Sequence, residues 1–110
     1  MADSYAFLNG KNVYNSEQVT VSTTPIGGTA ALINNVSDPL NSGTKAVAAL
    51  VQAVANGFYY TLDGTTPSAS NGGVVAAGEV LALAGYGKVN KFRAIRSSGS
   101  DAVVNIQYYT

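Results

Sequence analysis

A chain of 110 residues, 46% hydrophobic and 11% charged, is long enough for one buried core and too apolar and too weakly charged to stay disordered. Its formal net charge is zero, so it projects no long-range field that would recruit DNA, RNA or an anionic membrane. It contains neither cysteine nor histidine, which excludes disulfides, thiolate metal sites and the commonest catalytic base and metal ligand.

The first stretch, "MADSYAFLNGKNVYNSEQ", has no basic n-region and no apolar h-region, so no secretory signal is expected. It places Tyr5, Phe7, Leu8 and Tyr14 ahead of the first clear strand, and apolar side chains there need to be covered. Residues 1–16 are therefore read either as an edge strand closing the core or as an arm that docks on a neighbouring subunit, with residues 17–110 forming the main domain. "EQVTVSTT" alternates, with Val19 and Val21 on one side and Thr20 and Ser22 on the other, as a half-buried strand requires. "KAVAALVQAVA", Lys45 to Ala55, is alanine-rich enough for a helix of about three turns. It leaves no polar helical stripe, so a strand buried on both faces is the expectation, and its apolar run is too short to span a bilayer.

"FYYTL" sets Phe58, Tyr60 and Leu62 against Tyr59 and Thr61 and then meets "DGTTP". There the Asp63 carboxylate is expected to turn back onto backbone N–H groups two residues on, Gly64 to accept positive φ, and Pro67 to stop ladder pairing. A lone carboxylate in such a turn has no acidic neighbours to make a calcium loop, so no metal is assigned. "EVLALAG" and "KFRAIRS" have the length of two more strands, the second with Lys91 and Arg93 facing away from Phe92 and Ala94. The last run is the clearest: Ala102, Val104, Ile106 and Tyr108 line an inner face, and Val103, Asn105, Gln107 and Tyr109 an outer one. Turn signals separate these runs at short intervals, at Asn9, Pro25, Asn34, Asn41, Asn56, Asp63, Asn71, Gly85 and Ser97. The expected fold is all-β: one compact antiparallel β-sandwich of about seven to nine strands, immunoglobulin-like or jelly-roll.

The charges are unevenly placed. Residues 88–110 hold four bases, Lys88, Lys91, Arg93 and Arg96, against one acid, whereas the rest of the chain holds two bases against five acids. The ordinary reading is the solvated face of a sheet; the functional one is a patch that orients the protein on an acidic neighbouring subunit. Nucleic acid would call for more bases with aromatics between them. The six carboxylates are scattered, and no S-x-x-K supplies a serine nucleophile with a lysine base, so the chain is not read as an enzyme.

From about Val47 to Tyr109, the order "YYTLDGTTPSAS", "VVAAGEVLAL" and "KFRAIRSSGSDAVVNIQYY" resembles small β-sheet proteins encoded among the structural genes of tailed bacteriophages. That resemblance implies a virion structural protein assembled in the host cytoplasm. Its leading form is a capsid decoration or cement protein that stabilises the head shell, and its alternative a tail, neck or head-fibre component. The implied partners are the major capsid protein or other virion subunits, and further copies of the chain in a homo-oligomer such as a trimer. No cofactor, nucleic acid or membrane is implied. The expected partner contacts are Tyr5, Phe7 and Leu8 in the N-terminal segment and Lys88, Lys91, Arg93 and Arg96 in the basic run. A narrower stretch, "FYYTLDGTTPS" with "FRAIRSSGSDAV", is similar to the immunoglobulin-like domain of chitobiase-type enzymes, which implies a carbohydrate-binding accessory module as a further alternative.

Overall fold

A computed structural model of the chain describes Leu8, residues 10–34 and residues 45–110. Tyr5 and Phe7, and the turn signals that fall within residues 35–44, lie outside the described residues.

Among the described residues, seven strands and two short helices follow in the order β1 (Val13–Val21), α1 (Ala30–Asn34), β2 (Ala48–Ala55), β3 (Phe58–Thr61), β4 (Gly73–Val75), β5 (Val80–Ala84), α2 (Tyr86–Lys91), β6 (Arg93–Arg96) and β7 (Ala102–Tyr109). They form a four-stranded sheet in the order β1-β7-β2-β5 and a three-stranded sheet in the order β4-β3-β6, with every pairing antiparallel. The chain is an all-β sandwich. No helix among the described residues is long and apolar enough to cross a membrane.

The alternation read in β7 accounts for its central place. Ala102, Val104, Ile106 and Tyr108 are all buried, and the strand pairs with β1 on one side and β2 on the other. Opposite them, the three-stranded sheet contributes Phe58 and Ala94, both 0% exposed. The Phe58 ring meets Tyr60 and Phe92 edge-on, at centroid separations of 6.4 and 6.1 Å, an arrangement the ring quadrupoles favour. Where Ala49, Val51, Leu83, Val89, Phe92, Ile106 and Tyr108 converge there is no space for a water molecule.

β2 is a strand, as expected, but it is buried on both faces only at its start. Ala49, Val51 and Ala53 are inside; on the other face Ala48 is 0% exposed at the start of the strand, whereas Gln52 and Val54 toward its end are exposed. A second difference lies at "GYGKVNK". The expected turn at Gly85 opens helix α2, and Lys91 ends that helix instead of starting a strand. Six residues with two glycines close by have little helical propensity of their own. Burial of Val89 (2% exposed) and of Phe92 (3%) just beyond the helix end holds the turn of helix over the core.

Strand β1 begins at Val13, so it takes in Val13–Ser16 of the N-terminal segment, and a register shift between Val13 and Asn15 leaves Tyr14 as the extra residue of a bulge. The Tyr14 hydroxyl thereby sits 3.0 Å from the Leu32 carbonyl and 2.7 Å from that of Ile33, at the end of α1. Further along β1, Glu17 ties three segments together. It accepts from the Tyr108 hydroxyl at 2.5 Å, from the Thr29 N–H at 2.9 Å and from the Thr29 hydroxyl at 2.7 Å. Gly28 is needed beside it, because a Cβ there would stand 2.1 Å from the Tyr108 hydroxyl oxygen.

Burial and the adjoining Glu17 carboxylate push the Tyr108 phenol well above its ordinary value of about 10. A group whose folded value is raised contributes its full stability below the unfolded value and loses it as pH rises beyond that. The neutral phenol should therefore stabilise the fold up to a pH of about 10, with the contribution shrinking at more alkaline pH. Tyr108→Phe should cost about 1–3 kcal/mol near neutrality, as loss of a hydrogen bond to a charged group does, and should reduce the alkaline fall in stability. Urea denaturation across the alkaline range measures both effects.

Candidate functional site

Register decides which residues share the open face of the four-stranded sheet. β7 pairs Asn105 with Gln18 on β1 and with Gln52 on β2, and Gln52 is paired in turn with Val80 on β5. The adjoining row is Ser16, Gln107, Leu50 and Ala82. Thr20, Val103 and Ala55 extend the face at one end, and Tyr109 and Ala84 at the other, where Ala48 between them is fully buried. Not one of these residues is charged.

Gln18, Gln52 and Gln107 are exposed on this face, Val54 is 49% exposed and Val80 is 40% exposed. The Gln18 amide donates to Asn105 Oδ1 at 3.0 Å across the β1–β7 pair, fixing part of a ladder of side-chain amides. The charged residues nearest the face stand at its margins or behind it. Glu79 accepts from the Ala76 N–H at 2.8 Å just before β5, Asp101 precedes β7, and the Glu17 carboxylate binds Tyr108 and Thr29 on the inner side. With about eight residues per strand at about 3.3 Å and strands about 4.8 Å apart, the face covers roughly 450–500 Å² in plan. An uncharged centre with charge confined to the margin shares with the core of a protein interface its depletion of charge.

The opposite side of the sandwich carries a smaller apolar row. Val74, Tyr59 and Ile95 lie directly across β4, β3 and β6, and Val74 is 61% exposed.

The structure does not gather the four bases of the basic run into one patch. Lys88 and Lys91 are exposed and lie one turn apart on α2, so they share a helix side. Arg93 folds back toward that helix, donating to the Phe92 carbonyl at 2.7 Å and to the Asn90 carbonyl at 3.3 Å. Arg96, three positions further along β6, faces the other side of the strand and is ion-paired to Asp101 at 2.8 Å. Both side chains of that pair are substantially exposed, so it contributes at most about 1 kcal/mol. Leu8 is half-buried, and its carbonyl accepts from the Lys11 N–H at 3.0 Å. The interface-like face was not among the candidates read from sequence, although the alternation of β7 already pointed to Asn105 and Gln107 as outward residues.

The turn after β3 has the geometry its residues dictate. Asp63 Oδ1 accepts from the Thr65 N–H at 3.1 Å and from the Thr65 hydroxyl at 2.6 Å, and Gly64 sits at φ +84°. The Gly64 N–H donates at 3.1 Å to the carbonyl of Lys91, so the turn satisfies an end of α2 as well as stopping the strand. Next to it a shallow depression of about 330 Å³ is lined by Tyr60, Leu62, Asp63, Asn71 and Gly73 among others. The Asn71 amide is committed in part to the Thr66 carbonyl at 2.9 Å. No three His, Cys, Asp or Glu side chains converge among the described residues.

No known protein family, curated protein or solved structure matches this chain.

The hydrogen bonds from the Thr65 hydroxyl and N–H, with a smaller contribution from the charge of Lys91, hold the Asp63 carboxyl below its ordinary value. A lowered folded value stabilises above the unfolded value of about 3.9 and is lost as pH falls through the folded one. Asp63→Ala should therefore lower the thermal midpoint near neutrality and flatten the acid limb of stability against pH. An acid limb unchanged from wild type would show that the carboxylate form of Asp63 contributes nothing to the turn.

Proposed function

We propose that this chain is a structural subunit of a bacteriophage virion, a decoration protein that binds the outside of the head shell and stabilises it. The single observation that carries the reading is the uncharged outer face of the four-stranded sheet. An exposed sheet face in a chain that works alone gains solubility from charged side chains, and none of the paired outward positions of this face is charged. A face of neutral amides, small apolar residues and a tyrosine costs less to remove from water than one carrying charges. Each amide carries both donors and acceptors to satisfy a partner.

The order of motifs from Val47 to Tyr109 supports a phage structural setting, and the rigid sandwich supports a static role. The chemistry is then multivalent burial. Each copy contributes a modest contact, and repetition over a lattice of equivalent sites converts it into high avidity. The apolar row of Val74, Tyr59 and Ile95 gives the opposite side of the same subunit a second, smaller contact, which suits a protein that bridges neighbours.

A second reading, a carbohydrate-binding accessory module, is favoured by the depression beside Tyr60, where an aromatic ring, an amide and a carboxylate adjoin. It would place sugar binding at the loop end of the three-stranded sheet and leave the uncharged face without a role.

Co-sedimentation with purified head shells tests the first reading. Wild-type protein should pellet with shells in lattice-scale copy number, and Gln52→Lys, which sets a charge in the middle of the face, should weaken binding by at least about tenfold. Retention on a polysaccharide column with release by soluble glycan, and no shell binding, would overturn it in favour of the carbohydrate reading.

A further inference from the structure

We infer that the outer face of the four-stranded sheet is covered by a second copy of this chain, packed sheet to sheet about a two-fold axis. The inference rests on the structural role proposed above and names the occupant of that face.

Two-fold contacts are self-complementary, and residues close to the axis meet their own counterparts. A lysine or glutamate in the middle of such a face would therefore oppose its own charge. Residues near the middle of this face are Gln52, Asn105 and Gln107, whose side chains can donate to and accept from identical amides, alongside Leu50 and Ala82. A partner with a charged docking surface would leave its charges desolvated against these neutral groups. A neutral, flat surface identical to this one has no such cost.

Size points the same way. Roughly 450–500 Å² in plan from each copy gives a total of about 1,000 Å², the lower bound for a specific interface, and reaching it uses the whole face. Side-chain height also permits the approach. Ser16, Thr20, Ala82 and Ala84 are short, and packed sheets usually stand about 10 Å apart.

Sedimentation velocity of the purified full chain, with Gln52→Lys and Gln52→Glu, tests this. Position 52 is exposed, so both variants should keep the wild-type thermal transition. Thr66→Lys, at an exposed position in the turn after β3 and away from both sheet faces, serves as a control that should leave assembly unchanged. Wild type should sediment as a dimer, each position-52 variant should dissociate at least about tenfold more readily, and an equal mixture of the two should recover the dimer, since residue 52 of one copy then lies near the opposite charge of the other. A dimer indifferent to either substitution overturns the inference, as does a trimer dispersed by them. A monomeric wild type also overturns it, and shell binding then separates the two claims. If Gln52→Lys abolishes co-sedimentation, another virion subunit covers the face and the structural role stands. If wild type fails to co-sediment with shells at all, that role falls as well.

Discussion

The fold depends on the fastening at Glu17. A sandwich needs its sheets held in one relation, and here the segment that leaves β1 and crosses toward the three-stranded sheet is tied back by a single carboxylate. Glu17 accepts both hydrogen bonds from Thr29 and the hydroxyl of Tyr108, so β1, β7 and the crossing segment share one node. The crossing itself is stitched by Ile26, which exchanges backbone hydrogen bonds with Ala94, and by the Ser22 carbonyl, which accepts from Arg96. Replacing Glu17 by an apolar residue would strand the Tyr108 hydroxyl in the core, where an unsatisfied polar group costs about 1–3 kcal/mol. The tight passage at Gly28 belongs to the same node, since any side chain there would displace the tyrosine hydroxyl.

That node also determines which face remains open. With Glu17 turned inward, its neighbours Ser16 and Gln18 must turn outward, because side chains alternate along a strand. Pairing with β7 then aligns them with Gln107 and Asn105, and pairing of β7 with β2 adds Leu50 and Gln52. The carboxylate that might have broken the uncharged face is the one that closes the core behind it. Structure and surface chemistry thus share a single register: a one-residue slip of β1 would bury Ser16 and Gln18 and put Glu17 on the open face.

Local features were legible in the sequence wherever one segment supplied all the information. The alternation of β7 gave its inner and outer residues correctly, and "DGTTP" gave the turn at Asp63 with its hydrogen bond two residues on. The two-sheet class followed from many short runs and frequent turns. Helix α2 was not legible, because "GYGKVNK" has the glycines of a turn. What makes it helical is distant: the core that accepts Val89 and the Gly64 N–H that meets the Lys91 carbonyl. The partial exposure of the outer face of β2 was hidden for a similar reason, since alanine and valine suit either face and only the layer above decides. The basic run looked like one patch because four bases fall within nine positions, yet a helix end and a strand between them send Arg96 to Asp101 and away from Lys88. Gln18, Gln52, Val80 and Asn105 come from four separate segments, and nothing local marks them as one row.

The absence of charge on that row carries more weight than any single residue in it. Each position, taken alone, is ordinary: glutamine, asparagine, serine and threonine are common on exposed strands. The pattern becomes informative only when more than a dozen outward positions on four strands are read together, because a solvated sheet face has no physical reason to refuse lysine and glutamate and several reasons to accept them. A face that is dry in its working state does have such a reason, because a charge buried without a partner costs several kcal/mol while a neutral amide can be satisfied by another amide. The chain holds twelve charged residues and uses those near this sheet at its margin and behind it. That partition is what selection for a covered surface would leave, and it is the ground on which an assembly role is proposed.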